Sequence, residues 1–73
     1  MGRYSEAEAL LRDALQAYES VSGPQSLQVM TTLEKLTEVF RKTGREEEAS
    51  LTELRAQDIR FDREHVVRAN ALR

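Results

Sequence analysis

Apolar residues recur along the chain at alternating spacings of four and three residues, the pattern of a helix with one apolar face. In the first segment this stripe consists of Ala7, Leu11, Ala14, Tyr18 and Val21. Ser5 and Glu8 have the spacing of an N-terminal capping box, and Gly23-Pro24 after the stripe cannot continue a helix. The pattern therefore predicts a first helix over residues 5–22.

The second segment repeats the spacing with Val29, Leu33, Leu36 and Phe40. Ser26 is a favourable N-cap, and Gly44 is a favourable stop because glycine readily adopts the left-handed conformation that ends many helices. A second helix is therefore predicted over residues 27–43. Only Gly23 to Ser26 separate it from the first helix, and so short a connection predicts an antiparallel hairpin.

The third segment, from Arg45 to Arg73, has no Gly or Pro and carries a weaker apolar stripe. Its heptad positions are Ala49, Ala56, Ile59, Val66 and Ala69. One long helix over residues 46–71 is favoured, since no residue forces a turn; the alternative is a separate short fourth helix capped by Asp62. The predicted fold is all-α, with an antiparallel hairpin and a long third helix forming one module over residues 1–73.

A short segment recurs in part after 42 residues. Gly2-Arg3-Tyr4-Ser5-Glu6-Ala7 returns as Gly44-Arg45-Glu46-Glu47-Glu48-Ala49, with Gly, Arg, Glu and Ala in the same frame. A fixed period of this size is typical of stacked helical hairpins, in which each unit buries its apolar face against its neighbours.

These residues resemble the tetratricopeptide repeat, and most closely its longer-period variant, found in kinesin light chains and many bacterial proteins. The matching positions include Gly2, Arg3, Tyr4, Glu6, Ala7, Glu8, Leu10, Leu11, Ala14 and Leu15, then Gly23-Pro24, and then Leu33, Leu36, Phe40 and Gly44. The resemblance covers residues 2–60, about one and a half repeats. It implies a fragment of an α-solenoid that acts as a protein–protein interaction scaffold.

The second copy departs from the family pattern towards polar residues. Thr52, Glu53 and Gln57 stand where the pattern has apolar or aromatic side chains, and Glu46 stands where the first copy has Tyr4. Such a copy resembles a terminal, solvent-facing repeat that caps an array. The asparagine pair that contacts peptide backbone in relatives is replaced by Glu34-Lys35, so that peptide-clamping mode is not expected.

Composition narrows the functional classes. The net charge of −2 gives no electrostatic reason to expect nucleic acid or an anionic membrane as partner. The chain has no Cys, no signal-peptide core and no apolar run near the roughly 20 residues of a membrane span. We expect a soluble, cytoplasmic protein without a small-molecule substrate. A helical nucleic-acid binder remains a third alternative, resting on the Arg-rich last segment.

Residues for catalysis or metal binding are not found in a suitable arrangement. His65 is the single histidine, and consecutive Glu46, Glu47 and Glu48 point in different directions around a helix. No Gly-rich phosphate loop or nucleophile elbow occurs. We expect no catalytic, cofactor-binding or metal-binding residues and no enzyme activity.

Two binding hypotheses remain. In the first, the concave face of the second helix holds a segment of another protein, through Thr31, Glu34, Glu38 and Arg41. In the second, the far end of the third helix mediates self-association, through Ile59, Val66, Val67, Ala69 and Leu72. A homodimer is favoured, because about three repeats are usually needed for stability and this stripe has no evident intramolecular cover. A fourth helix folding back would instead give a monomer.

Overall fold

The computed structural model describes the backbone of residues 2–71 and the side chains of residues 3–65. Three α-helices follow one another: α1 (Gly2–Ser22), α2 (Leu27–Lys42) and α3 (Glu46–Ala71). No strand occurs between residues 2 and 71. The all-α fold with a hairpin and a long third helix is thereby confirmed.

The start of α1 differs from the prediction. The helix begins at Gly2 rather than at Ser5, so Ser5 lies inside the first turns and is not an N-cap. A capping box would place the Glu8 carboxylate on the Ser5 backbone N–H, but in the structure this carboxylate binds guanidinium groups. It accepts a hydrogen bond from Arg12 Nε at 2.9 Å and a second from Arg45.

The turn between α1 and α2 follows the predicted boundaries. Gly23 has φ +90°, a backbone conformation that residues with a Cβ rarely adopt. Ser26 is the N-cap of α2, and its Oγ accepts a hydrogen bond from the Val29 N–H at 3.2 Å. This bond satisfies one of the unpaired amides at the start of the helix.

The turn between α2 and α3 is a Schellman motif. Thr43 is the C-cap of α2, and Gly44 follows with φ +76°. The Gly44 N–H donates to the Arg41 carbonyl at 3.2 Å, and the Arg45 N–H donates to the Phe40 carbonyl at 2.7 Å. These two bonds close the carbonyl end of α2 and direct the chain back along it.

The third segment is one continuous helix of 26 residues. Asp62 lies within it, so the alternative of a separate fourth helix is wrong. At 1.5 Å per residue, α3 is about 39 Å long and the 16-residue α2 about 24 Å. Because the two helices run side by side, α3 extends past the beginning of α2.

The core is centred on α2, which packs against both α1 and α3. The largest fully buried side chains of the core are Leu33, Leu36 and Val29 of α2 and Ile59 of α3. Leu15 of α1 packs against both clusters of buried residues that α2 and α3 form, whereas no described side chain of α1 is itself buried. The first helix is therefore held by one face only.

A charged cluster joins the beginning of α1 to the beginning of α3. The Arg45 guanidinium lies 4.7 Å from the centre of the Phe40 ring and donates to Glu8 and, at 2.8 Å from Nε, to Glu48. Hydrogen bonds from Arg12 and Arg45 lower the pKa of Glu8, and a hydrogen bond from Arg45 lowers the pKa of Glu48. These contacts connect the beginning of α1 with the beginning of α3 across the Phe40 ring of α2.

Candidate functional site

A groove of about 700 Å³ lies between α2 and α3. It is lined by Glu34, Thr37, Glu38, Arg41, Lys42, Glu53, Ala56, Gln57 and Arg60. Every lining residue except Ala56 is polar or charged. Small-molecule sites are mostly apolar, so this composition argues against such a site and matches the polar, solvent-accessible rim of a protein interface.

The two helices present their groove residues with the same spacing. On α2 these are Glu34, Glu38 and Arg41, and on α3 they are Glu53, Gln57 and Arg60. Residues three and four apart lie on one face of a helix. Because the helices are antiparallel, the two rows form three facing positions, with Glu38 and Gln57 in the middle.

An ion pair spans the groove at each end. At one end, Arg60 donates to Glu34. At the other, Arg41 binds Glu53 with both guanidinium nitrogens, Nη2–Oε1 at 2.7 Å and Nη1–Oε2 at 3.3 Å. The hydrogen bonds and charge of Arg41 lower the pKa of Glu53, while Glu53 raises that of Arg41. All four side chains are substantially exposed, so water and salt weaken these pairs and a partner could open them.

At the middle of the groove, the described side chains form no ion pair between α2 and α3. The nearest described cation to Glu38 is Lys42 on the same helix, with Nζ 3.8 Å from the carboxylate oxygen. Both side chains are more than half exposed, at 68% for Glu38 and 53% for Lys42. Gln57 of α3 also lines this part of the groove, and its side chain is exposed. The central position therefore offers an acid and an amide that are accessible to a partner.

A pair of hydroxyl groups lies beneath this surface. Thr37 and Thr52 are hydrogen bonded to each other at 2.7 Å, and Thr37 donates to the Leu33 carbonyl at 2.8 Å. Thr52 is one of the polar residues of the second copy that stand where the family pattern has an apolar or aromatic side chain. The structure pairs it with a threonine that α2 buries, so the polar substitution is compensated within the core.

The predicted partner-binding residues are only partly brought together. Glu34, Glu38 and Arg41 line the groove, whereas Thr31 lies in a separate, smaller groove of about 190 Å³ between α1 and α2. The Thr31 hydroxyl donates to the Leu27 carbonyl at 2.6 Å. The α3 side of the groove was not predicted; its signal was the polar character of the second copy.

The predicted self-association residues are only partly described. Ile59 is 1% exposed and packs with Val29, Met30 and Leu33, so it does not lie on an exposed stripe. It is buried because, like Ala56, it lies on the face of α3 that packs against α2. The other members of the predicted set, Val66, Val67, Ala69 and Leu72, lie outside the described side chains.

The 42-residue repeat relates the groove to a surface of α1. The residues of α1 that face α2 or the small groove beside it include Leu11, Leu15 and Tyr18. Their counterparts 42 residues later are Glu53, Gln57 and Arg60. The α1 surface that supports α2 is thus repeated on α3, but with polar residues in place of apolar and aromatic ones.

No group of His, Asp and Glu side chains within residues 3–65 could hold a metal ion. In the described part of the chain, no helix is both long and apolar enough to cross a membrane.

The sequence profile of the tetratricopeptide repeat matches residues 1–60. This chain belongs to the tetratricopeptide repeat family. Comparisons with curated proteins and with solved structures found no match. Tetratricopeptide repeats are typically non-catalytic scaffolds for protein–protein interaction. In tetratricopeptide terms, α2 and α3 form one helical hairpin, and α1 corresponds to the second helix of the hairpin before it.

Proposed function

We propose that this tetratricopeptide module binds a segment of another protein in the α2–α3 groove, and that α3 acts as a terminal repeat surface. One observation carries the proposal: polar residues occupy the α3 positions whose counterparts on α1 support the next helix. The functional residues are Glu38 and Gln57 at the centre, with Glu34 and Arg41 of α2 at the two ends.

The physical reason is the cost of covering charge. A following repeat helix with an apolar face would bury Glu53 and Arg60 without replacing their contact with water. Such burial is unfavourable, so the groove disfavours a standard repeat and favours a partner with polar groups of its own. Interface rims with exposed ion pairs contribute orientation and specificity more than affinity.

The finer family assignment belongs to this proposal. The 42-residue spacing of the two copies supports the longer-period variant that resembles kinesin light chain repeats. A cytoplasmic location fits a scaffold without Cys, and fractionation of tagged protein would test it.

Site-specific photo-cross-linking tests the groove directly. A photoreactive residue would replace Gln57 in the full chain in its native host, with exposed Gln16 on α1 as the matched control position. We expect a protein adduct from position 57 that is missing from position 16 and lost when Glu38→Lys is added. The same adducts from both positions would contradict the proposal.

Self-association through the far end of α3 is a second candidate. It is supported by the length of α3 and by two large apolar side chains seven residues apart on it, Leu54 and Phe61, which are 62% and 57% exposed. Two copies could cover this side of α3 around a two-fold axis, which is the commonest arrangement of homodimers.

Absolute mass in solution across a hundredfold dilution tests this candidate. A mass near twice 8.4 kDa that persists on dilution, and that falls with Val66→Glu, would support a homodimer. A folded species of 8.4 kDa would contradict it and direct attention to the groove.

A further inference from the structure

We infer that the partner presents a lysine or arginine from a helical segment to Glu38 at the centre of the groove. The inference rests on the proposed function, because it names the chemistry of the partner at that same groove. It follows from the shape of the equivalent surface on α1 and from the distribution of charge along the groove.

The helical form of the partner follows from the internal repeat. On α1, the positions equivalent to the α3 side of the groove face α2, which is itself a helix. Leu11 and Leu15, whose counterparts on α3 are Glu53 and Gln57, pack against the buried cluster of Leu36, Phe40 and Ala49. The groove therefore lies where the internal repeat places a neighbouring helix, while its polarity differs.

The charge of the partner follows from the three facing positions. At the ends, Glu34 pairs with Arg60 and Arg41 pairs with Glu53, so each end is already neutralised across the groove. At the centre, Glu38 faces the neutral Gln57, and Lys42 approaches it only to 3.8 Å. A cation placed there would compete only with the long, exposed Glu38–Lys42 ion pair within α2, and it would break no pair across the groove.

A partner that presents an acidic side chain would bind the groove less favourably than one that presents a basic side chain. Its carboxylate would be repelled by Glu38 at the centre, where Lys42, the third cation of the groove lining, already pairs with Glu38. To reach Arg41 or Arg60 at the ends it would have to displace Glu53 or Glu34, which would then lose a charge-assisted hydrogen bond. Gln57 adds no preference for either charge, but its amide can donate to and accept from polar groups of the partner.

The test uses two stapled helical peptides of Ala and Gln that differ only in one central residue, Lys or Glu. Each is titrated into the ¹⁵N-labelled full chain and followed by amide chemical shifts. We expect the Lys peptide to shift the amides of α2 and α3 around the groove at millimolar concentration. It should bind about fivefold more tightly than the Glu peptide, the range of one exposed ion pair. This preference should disappear in Glu38→Gln and persist in the control Glu6→Gln on α1.

Each other outcome has a distinct meaning. If both peptides shift the groove amides equally, or if the preference survives in Glu38→Gln, the assignment of a basic partner is overturned while the groove remains a binding surface. If neither peptide shifts the groove amides, both this inference and the proposed function fail. If the same amides shift with protein concentration and no peptide, the occupant is a second copy of the chain, and a separate partner is excluded.

Discussion

The two copies of the repeated segment begin with similar residues and end in different surroundings. Ala49 in the second copy is fully buried, whereas Ala7 in the first is only half-buried. Likewise Ile59 is 1% exposed, while the position 42 residues before it holds an exposed Ala17. The difference arises because α3 packs its inner face against α2, and α1 packs against α2 with a different face. The two copies therefore share their helical conformation, but which of their positions are buried depends on the helix that packs against each copy.

The outward faces of the two copies also differ, and here the first copy is apolar and the second copy is polar. The α1 side that meets α2 carries Leu11 and Leu15, while the equivalent side of α3 carries Glu53 and Gln57. One face supports a helix, and the other borders an open groove with ion pairs across it. A tetratricopeptide repeat can therefore keep its inner packing while its outer face changes from a stacking surface into a polar binding surface.

The largest effect should come from the inner face of α3. Ile59→Ala should lower the free energy of unfolding by about 2–5 kcal/mol, because it removes buried atoms and leaves a cavity. Val21 of α1 is 86% exposed, so Val21→Ala should change it by no more than about 0.5 kcal/mol. Urea unfolding followed by circular dichroism measures both. If Ile59→Ala abolishes folding, Ile59→Val should still cost about 0.5–1.5 kcal/mol; equal effects at the two sites would contradict the packing described here.

The paired alanines give a more direct comparison of the two copies. Ala49→Leu should destabilise the fold by about 1–3 kcal/mol, since the added atoms have no space between α2 and α3. Ala7→Leu should have a much smaller effect, because that side chain is partly exposed. Thermal unfolding of the two variants measures the difference. Similar melting temperatures would mean that the two positions have the same surroundings.

The threonine pair should show energetic coupling. Thr37→Val or Thr52→Val alone should each cost about 1 kcal/mol, because the remaining hydroxyl loses a partner in a largely buried place. The double variant should cost less than the sum of the two, which a double-mutant cycle measures. Additive effects would indicate that the hydroxyl groups do not interact in solution.

The smallest expected effect is on pH dependence. The pKa values of Glu8, Glu48 and Glu53 lie below the ordinary 4.5 in the folded chain. Their contribution is therefore complete above pH 4.5 and is lost as the pH falls through the lowered values. Urea midpoints should fall in acid less steeply for Glu8→Gln than for the wild type. An unchanged slope would mean that the charged cluster around Arg45 does not form in solution.

The sequence predicted those features that depend on local physics. Gly23, Ser26 and Gly44 marked the turns correctly, because left-handed glycines and N-caps act within a few residues. The apolar spacing of α2 also identified its buried face. The start of α1 at Gly2 was missed, since Ser5 and Glu8 fit a capping box and nothing local shows that Glu8 binds Arg45 instead.

The site was less predictable than the fold. Glu34, Glu38 and Arg41 could be chosen because they share one exposed face of α2. Their partners on α3 could not, since the pairing across the groove depends on the register between two helices. Thr31 shares the exposed side of α2 but lies beside α1, and helical spacing alone does not distinguish one neighbour from the other.

The central claim is that three polar residues distinguish the outer face of α3 from the helix-supporting face of α1. The decisive variant is Glu53→Leu, Gln57→Leu and Arg60→Tyr combined, which gives α3 the residues of α1. A control variant makes similar changes at exposed positions of α1: Glu6→Leu, Gln16→Leu and Ser20→Tyr.

Light scattering after size exclusion, on folded protein checked by circular dichroism, measures the mass of each. The account predicts a larger mass than the wild type for the α3 variant and an unchanged mass for the control. An α3 variant with the mass of the wild type, or a control that associates to the same extent, would contradict it.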